Sequence, residues 1–273
     1  MKDIDLVDLR KIIEVVRDSY GYDFSNYAMS SFKRRINRIT EIHNISVEAL
    51  TEKIKKDKKY GEDFLSEITV NVTEMFRDPT FWMVLRDDII PSILLNHKTF
   101  KIWHAGCSSG EEVFSMAILL KEMDLLDNVS IIATDIDDKI LEKARSGIYP
   151  LKNMEVNSKN YIRYQGKGNF EDYYAVSGNN AIMDPVLVKN VDFRKNDLVL
   201  GEVFNKFDLI LCRNVMIYFN QTLQNEVLKK FHQSLFKYGY LSIGSKESLI
   251  WCEIANKFIL ANNDEKIYKK VKE

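Results

Sequence analysis

Two stretches of this chain combine residue types that could hold a charged, hydroxyl-bearing ligand. The first is GCSSGEE, Gly106 to Glu112, set between the apolar run FKIWHA and the amphipathic run VFSMAILL. The second is TDID, residues 134–137, which closes the apolar run VSIIA and brings Asp135 25 residues beyond Gly110. Glycines between a strand and a helix allow a tight bend and a close backbone approach to a ligand. The spacing is not GxGxxG, and Glu111 and Glu112 open the helix where a dinucleotide fold offers bare amides to a pyrophosphate. Carboxylates there repel phosphate and attract an ammonium group, while an acid at the end of the next strand suits the two hydroxyls of a ribose. A ribose with an ammonium-bearing tail and no phosphate points to S-adenosylmethionine (AdoMet). Each piece has a plain structural alternative: a turn that only turns, first-turn glutamates favoured by the helix dipole, and Asp135 as the N-cap of DKILEKAR.

Such a site needs a sheet to carry it. FKIWHAG, VSIIATDID, VDFRKNDL, FDLILCRN and GYLSIGS are apolar runs separated by helical segments, the pattern of a parallel sheet buried on both faces. An α/β domain is therefore expected over residues 96–273, preceded by a connector over 71–95 with helix-starting prolines at Pro79 and Pro91. Residues 1–70 show only helical spacing, as in Leu6, Leu9, Ile12, Ile13 and Val16, with Ser46 a candidate N-cap, and predict a small helical domain. A Tyr-, Gly- and Asn-rich stretch, YIRYQGKGNFEDYYAVSGNNAIMDPVLVKNVDF, breaks the rhythm and predicts two or three short antiparallel strands inserted at about 155–192.

Composition narrows the function classes. With 39 basic and 40 acidic residues in 273, the net charge of −1 argues against a nucleic-acid or membrane footprint over the whole surface. Cys107, Cys212 and Cys252 are far apart and odd in number, which suits free thiols in a reducing compartment. The first residues lack a signal-peptide core, and no run approaches the roughly 18 apolar residues of a membrane span. A cytoplasmic protein without metal and without membrane insertion is expected.

NVTEMFRD, AGCSSGEEVFSMAI, ATDIDDKILEKARSGIY, FDLILCRNVMIYF and LSIGSKESL follow one another in the order of the CheR family, the chemotaxis receptor glutamate O-methyltransferases. The resemblance covers nearly the whole chain, including the helical start DFSNYAMSSFKRRINRI. It implies a class I AdoMet-dependent methyltransferase (Rossmann-like) α/β sheet, an N-terminal helical domain and a small antiparallel β insert. Carried over position by position, it implies AdoMet contacts at Asn71, Thr73, Arg77, Glu111, Asp135, Asn196, Asp197, Arg213 and Asn214, beside the Gly106 turn read from the residues themselves, with S-adenosylhomocysteine as product. It also implies Tyr218 beside the transferred methyl. Two departures stand out: Asp197 replaces a leucine, and Ser245 and Lys246 replace a His-Ser pair.

The implied reaction joins a sulfonium to a glutamate carboxylate of a methyl-accepting chemotaxis receptor, so it needs placement and dehydration and no general base. Arg77 could orient the carboxylate, and the Tyr218 hydroxyl could donate at the reacting centre, which would make these two the catalytic pair. Their structural alternatives are an Arg77–Asp78 ion pair and a core tyrosine. The receptor's cytoplasmic coiled coil is acidic-faced, and Lys33, Arg34, Arg35 and Arg38 are the candidate docking cations. A monomer with no nucleic-acid partner is expected. The competing function is a non-catalytic AdoMet-binding adaptor of the same fold.

Overall fold

The computed structural model describes residues 4–69, 73–95 and 97–273. They divide into two units, Met1–Val70 with Met216–Glu226, and Asn71–Val215 with Val227–Glu273.

The first unit is built from four helices, α1 (Leu6–Tyr20), α2 (Met29–His43), α3 (Val47–Lys56) and α4 (Lys58–Ile68). Side-chain oxygens of Asp5, Ser46 and Asp57 accept from the amides of Asp8, Ala49 and Tyr60, which starts α1, α3 and α4. The expected cap at Ser46 is therefore present. One apolar stripe from each helix, including Leu9, Ile12, Phe32, Ile36, Leu50, Ile54 and Phe64, enters a common core. The unit is completed by a later part of the chain, the 3₁₀ turn Met216–Tyr218 and the start of a helix at Gln221.

The second unit opens with α5 (Pro79–Val84), a π-helical turn (Leu85–Ile89) and α6 (Ile90–Leu94). There follow β1 (Phe100–Ala105), α7 (Glu111–Glu122), β2 (Val129–Asp135), α8 (Asp138–Ser146), β3 (Ile148–Pro150), α9 (Met154–Tyr164), β4 (Tyr174–Ser177) and β5 (Asn180–Met183). The chain continues through β6 (Val191–Lys195), β7 (Phe207–Cys212), α10 (Gln221–Ser234), β8 (Leu235–Ile243), β9 (Phe258–Asn262) and β10 (Ile267–Lys270). The main sheet has the order β6-β2-β1-β7-β8-β10-β9. Its first five strands are parallel, and β10 and β9 return antiparallel. All five strands expected from the sequence are in this sheet. The two C-terminal strands, FILAN and IYKK, were not foreseen, because runs of five and four residues are too short for periodicity to mark them as strands. Strand order reverses at β1, which lies between β2 and β7, so a ligand crevice is expected beyond the carboxyl ends of these strands.

The small sheet, β3-β5-β4, is antiparallel. It begins before the expected span, since β3 has only three residues and shows no alternation. The stretch YIRY is not a strand but the end of α9, where Tyr161 and Tyr164, three residues apart, turn to one face. Both phenols, with that of Tyr173, donate to the Glu122 carboxylate at the end of α7.

Candidate active site

The turn after β1 is shaped by backbone of positive φ at Gly106 (80°), Ser108 (51°) and Gly110 (92°). The amides of Gly106 and Cys107 both donate to the Thr134 carbonyl on β2, at 2.8 Å each. A Cβ on Gly106 would meet Val215 Cγ2 at 2.7 Å, and one on Gly110 would meet Ala144 Cβ at 2.9 Å. The glycines thus answer to the chain's own packing as well as to the turn. Burial pushes the Cys107 thiol well up, so this cysteine is a packed side chain and not a thiolate nucleophile.

Asp135 ends β2 against this turn. One carboxylate oxygen accepts from the Ser108 amide at 2.8 Å and the other from the Asp137 amide at 3.2 Å. Asp137, not Asp135, caps α8, by accepting from the Lys139 amide at 2.9 Å. Burial raises the Asp135 carboxyl above its ordinary range in spite of those amide bonds. Glu111, 5% exposed in the first turn of α7, accepts from the Ser109 hydroxyl at 2.7 Å and makes no ion pair among the described residues. Burial raises its carboxyl too. A mere dipole partner would sit in solvent. Two buried carboxylates that make no ion pair among the described residues suit a ligand that brings a cation and hydroxyls, and they oppose a phosphate.

The adjacent Glu112 does something the sequence did not disclose. It accepts from or shares a proton with His104 Nδ1 at 2.9 Å, and its other oxygen lies 3.5 Å from Arg213 Nη1. Burial pushes the Glu112 carboxyl up, but His104 and Arg213 outweigh it and leave it below the usual range. Arg213 also pairs with Asp78 at 2.6 Å and lies with Cζ 3.9 Å from the Phe81 ring centroid, while its Nε is buried with no hydrogen-bond partner among the described residues. A histidine inside the apolar run KIWHAG was the available signal, since an ionisable side chain in a buried strand needs a partner.

The Arg213–Asp78 pair has a consequence for Arg77. Asp78 is engaged elsewhere, and the half-buried Arg77 side chain makes no ion pair among the described residues. Thr73 is half-buried, in irregular chain, and Asn71 lies outside the described residues. After β6, the Asn196 amide donates to the Asp135 carbonyl at 2.9 Å, bringing this residue to the end of β2. The Asp197 side chain is used within its own turn, accepting from the Val199 amide at 2.7 Å. Asn214, with φ 62°, donates its amide to Glu247 at 3.2 Å. Glu247 belongs to GSKESL and is buried, whereas the departures Ser245 and Lys246 are exposed. The carboxyl ends of β1, β2, β6 and β7 thereby gather Gly106, Glu111, Asp135, Asn196, Arg213 and Asn214 along one edge of the sheet.

Tyr218 and the basic residues of α2 belong to the first unit. Arg34 and Arg38 are exposed and Lys33 is half-buried. Arg35 differs from the other candidate docking cations: it is half-buried, donates to the Ile68 carbonyl and stacks on Tyr218. Among the described residues there is no cluster of His, Cys, Asp or Glu that could hold a metal, and no helix is long and apolar enough to cross a membrane.

Residues 71–267 match the family described as CheR methyltransferase, SAM binding domain, and residues 7–69 match CheR methyltransferase, all-alpha domain. The chain is 40% identical over 265 residues to a Pseudomonas putida protein named "Putative methyltransferase Cher3", covering 97% of each. It is 33% identical to the chemotaxis protein methyltransferase of Listeria innocua, over 86% of this chain and 88% of that one. It is 36% identical to chemotaxis protein methyltransferase 1 of Vibrio cholerae, over 75% and 74%. The chain is an AdoMet-dependent methyltransferase belonging to the CheR family.

Proposed function

We propose that this methyltransferase acts on glutamate side-chain carboxylates of methyl-accepting chemotaxis receptors, giving glutamate methyl esters. The relatives in Listeria and Vibrio, named for chemotaxis, support the receptor as partner. The observation that supports the carboxylate is Arg77, a guanidinium that makes no ion pair among the described residues while the adjacent Asp78 is held by Arg213. A cation on the segment that leads into α5, with no acid paired to it among the described residues, can orient an incoming anion through two parallel N–H bonds.

AdoMet supplies an electrophilic methyl on a positively charged sulfur. The chain's residues hold and orient. Asp135 accepts from ribose hydroxyls, Glu111 faces the ammonium, and the glycine turn keeps the backbone in the bend that brings Asp135 and Glu111 to one crevice. Arg77 steadies the acceptor carboxylate, and Tyr218 donates a hydrogen bond at the reacting centre. Because the acceptor is already ionised at neutral pH, no side chain has to remove a proton. Sulfonium and carboxylate lose charge as they react, so excluding water favours the transition state over the hydrated reactants.

The test is transfer of labelled methyl from AdoMet to receptor-bearing membranes. The expected product is protein-bound label released as methanol by mild base, the mark of a carboxyl ester. Base-stable label would point to an amine or amide acceptor. AdoMet binding without transfer would replace the enzyme by a non-catalytic adaptor.

A further inference from the structure

We infer that Arg35 is a positioning residue for Tyr218, holding its ring from one face so that the phenol is fixed where the methyl is transferred. The role rests on the reading of Tyr218 at the reacting centre. It separates Arg35 from its neighbours Arg34 and Arg38, with which its sequence position alone would group it.

The backbone around Tyr218 is already secured. Its carbonyl accepts from the Ala28 amide at 2.8 Å, and the Asn220 amide donates to the Asn26 carbonyl at 2.9 Å. Tyr27 and Phe219 form an antiparallel bridge, with rings 5.2 Å apart and edge to face. What these bonds leave free is the torsion of the Tyr218 side chain itself. Arg35 limits it, with Cζ 4.3 Å from the ring centroid.

The guanidinium is held in turn. Nη1 donates to the carbonyl of Ile68, the last residue of α4, where the partial negative charge of a helix end collects. A planar cation that stacks on an aromatic face and bonds in its own plane has one stable orientation, which a flexible ammonium would not keep. Burial lowers the Arg35 pKa, the mark of a cation withdrawn from water, while Arg34 and Arg38 stay exposed. A half-buried, stacked and hydrogen-bonded guanidinium is a poor surface contact for an acidic coiled coil. It is well suited to fix its neighbour. α2 therefore divides its cations by face, the outer ones for a partner and this one for the site.

Kinetics on the full chain with AdoMet and receptor-bearing membranes test this, using Arg35→Gln, Arg35→Lys, Tyr218→Phe and the double variant Arg35→Gln/Tyr218→Phe. Folding of each is first checked by thermal melting. Arg35→Gln is expected to lower kcat roughly 10-fold, leaving the receptor KM, its salt dependence and AdoMet affinity within about twofold of wild type. Arg35→Lys should recover part of the loss. In the double variant the two losses should not multiply, because both act through one phenol. The inference is overturned if Arg35→Gln raises the receptor KM in a salt-dependent way with kcat unchanged, or if the two losses multiply. A slow Tyr218→Phe beside a normal Arg35→Gln sinks this inference alone, whereas a normal Tyr218→Phe removes Tyr218 from the reaction and the inference with it. Should Arg35→Gln fail to fold, Arg35→Lys decides: kcat equal to wild type overturns the role, and a loss that vanishes in the Tyr218→Phe background supports it.

Discussion

At the scale of single residues, the proposed AdoMet site rests on a pair of carboxyls whose ionised form burial disfavours. Burial raises Glu111 and Asp135 above their ordinary pKa, so in the unliganded chain their ionisation opposes folding above the raised values, and that penalty is relieved as pH falls below them. An ammonium group binds only the ionised Glu111. AdoMet affinity should therefore be highest above the raised pKa and fall as pH drops through it, earlier than for an exposed glutamate. Calorimetry across mildly acidic pH should show Glu111→Gln binding more weakly at neutral pH and losing part of that dependence. Asp135→Ala should cost about 1.5–3 kcal/mol of AdoMet affinity, the scale for hydrogen bonds to a charged group, and an unchanged affinity would remove it from the site. These two residues were legible in the sequence because acids at the end of a strand and the start of a helix have few other uses. Glu112 was visible only as a second acid. Of its partners, His104 lies on β1 and Arg213 just after β7, and the adjacency of these two strands is set by topology that local spacing does not encode.

At the scale of elements, the turn between β1 and α7 ties the chain to the end of β7. Gly106→Ala combines strained backbone with a Cβ driven into Val215 Cγ2, and should destabilise the fold by about 1–3 kcal/mol. Shortening the neighbour relieves the collision but not the positive φ. Urea unfolding should then find Gly106→Ala/Val215→Ala more stable than the sum of the single losses, and strict additivity would show that backbone strain alone is at work. The sequence disclosed that these glycines turn the chain; that one of them abuts a side chain over 100 residues later it could not. The same limit governed the small sheet. β3 is too short to alternate, and Tyr161 and Tyr164 read as strand-formers by propensity until their shared bonds to Glu122 fix them on a helix.

At the scale of the whole molecule, composition was informative mainly by exclusion, since a balanced charge left any partner surface to be local. Arg34 and Arg38, exposed on α2, are the remaining candidates for meeting an acidic receptor. The double variant Arg34→Glu/Arg38→Glu should raise the receptor KM, more at low salt than at high, with AdoMet affinity unchanged. Normal methylation at low salt would sink that role. The helical unit also has a history imposed by chain order. Residues 26–28 and Arg35 find their partners in Met216–Glu226, so these helices leave the ribosome well before the segment that completes them exists. At synthesis rates of about 5–20 residues per second the wait is on the order of ten seconds, long beside the folding of small helical bundles. During that interval the face that will receive Tyr218 and Phe219 is uncovered. The nascent chain therefore depends on a second part of its own sequence to close a surface that a chaperone, or another unfinished chain, could otherwise occupy.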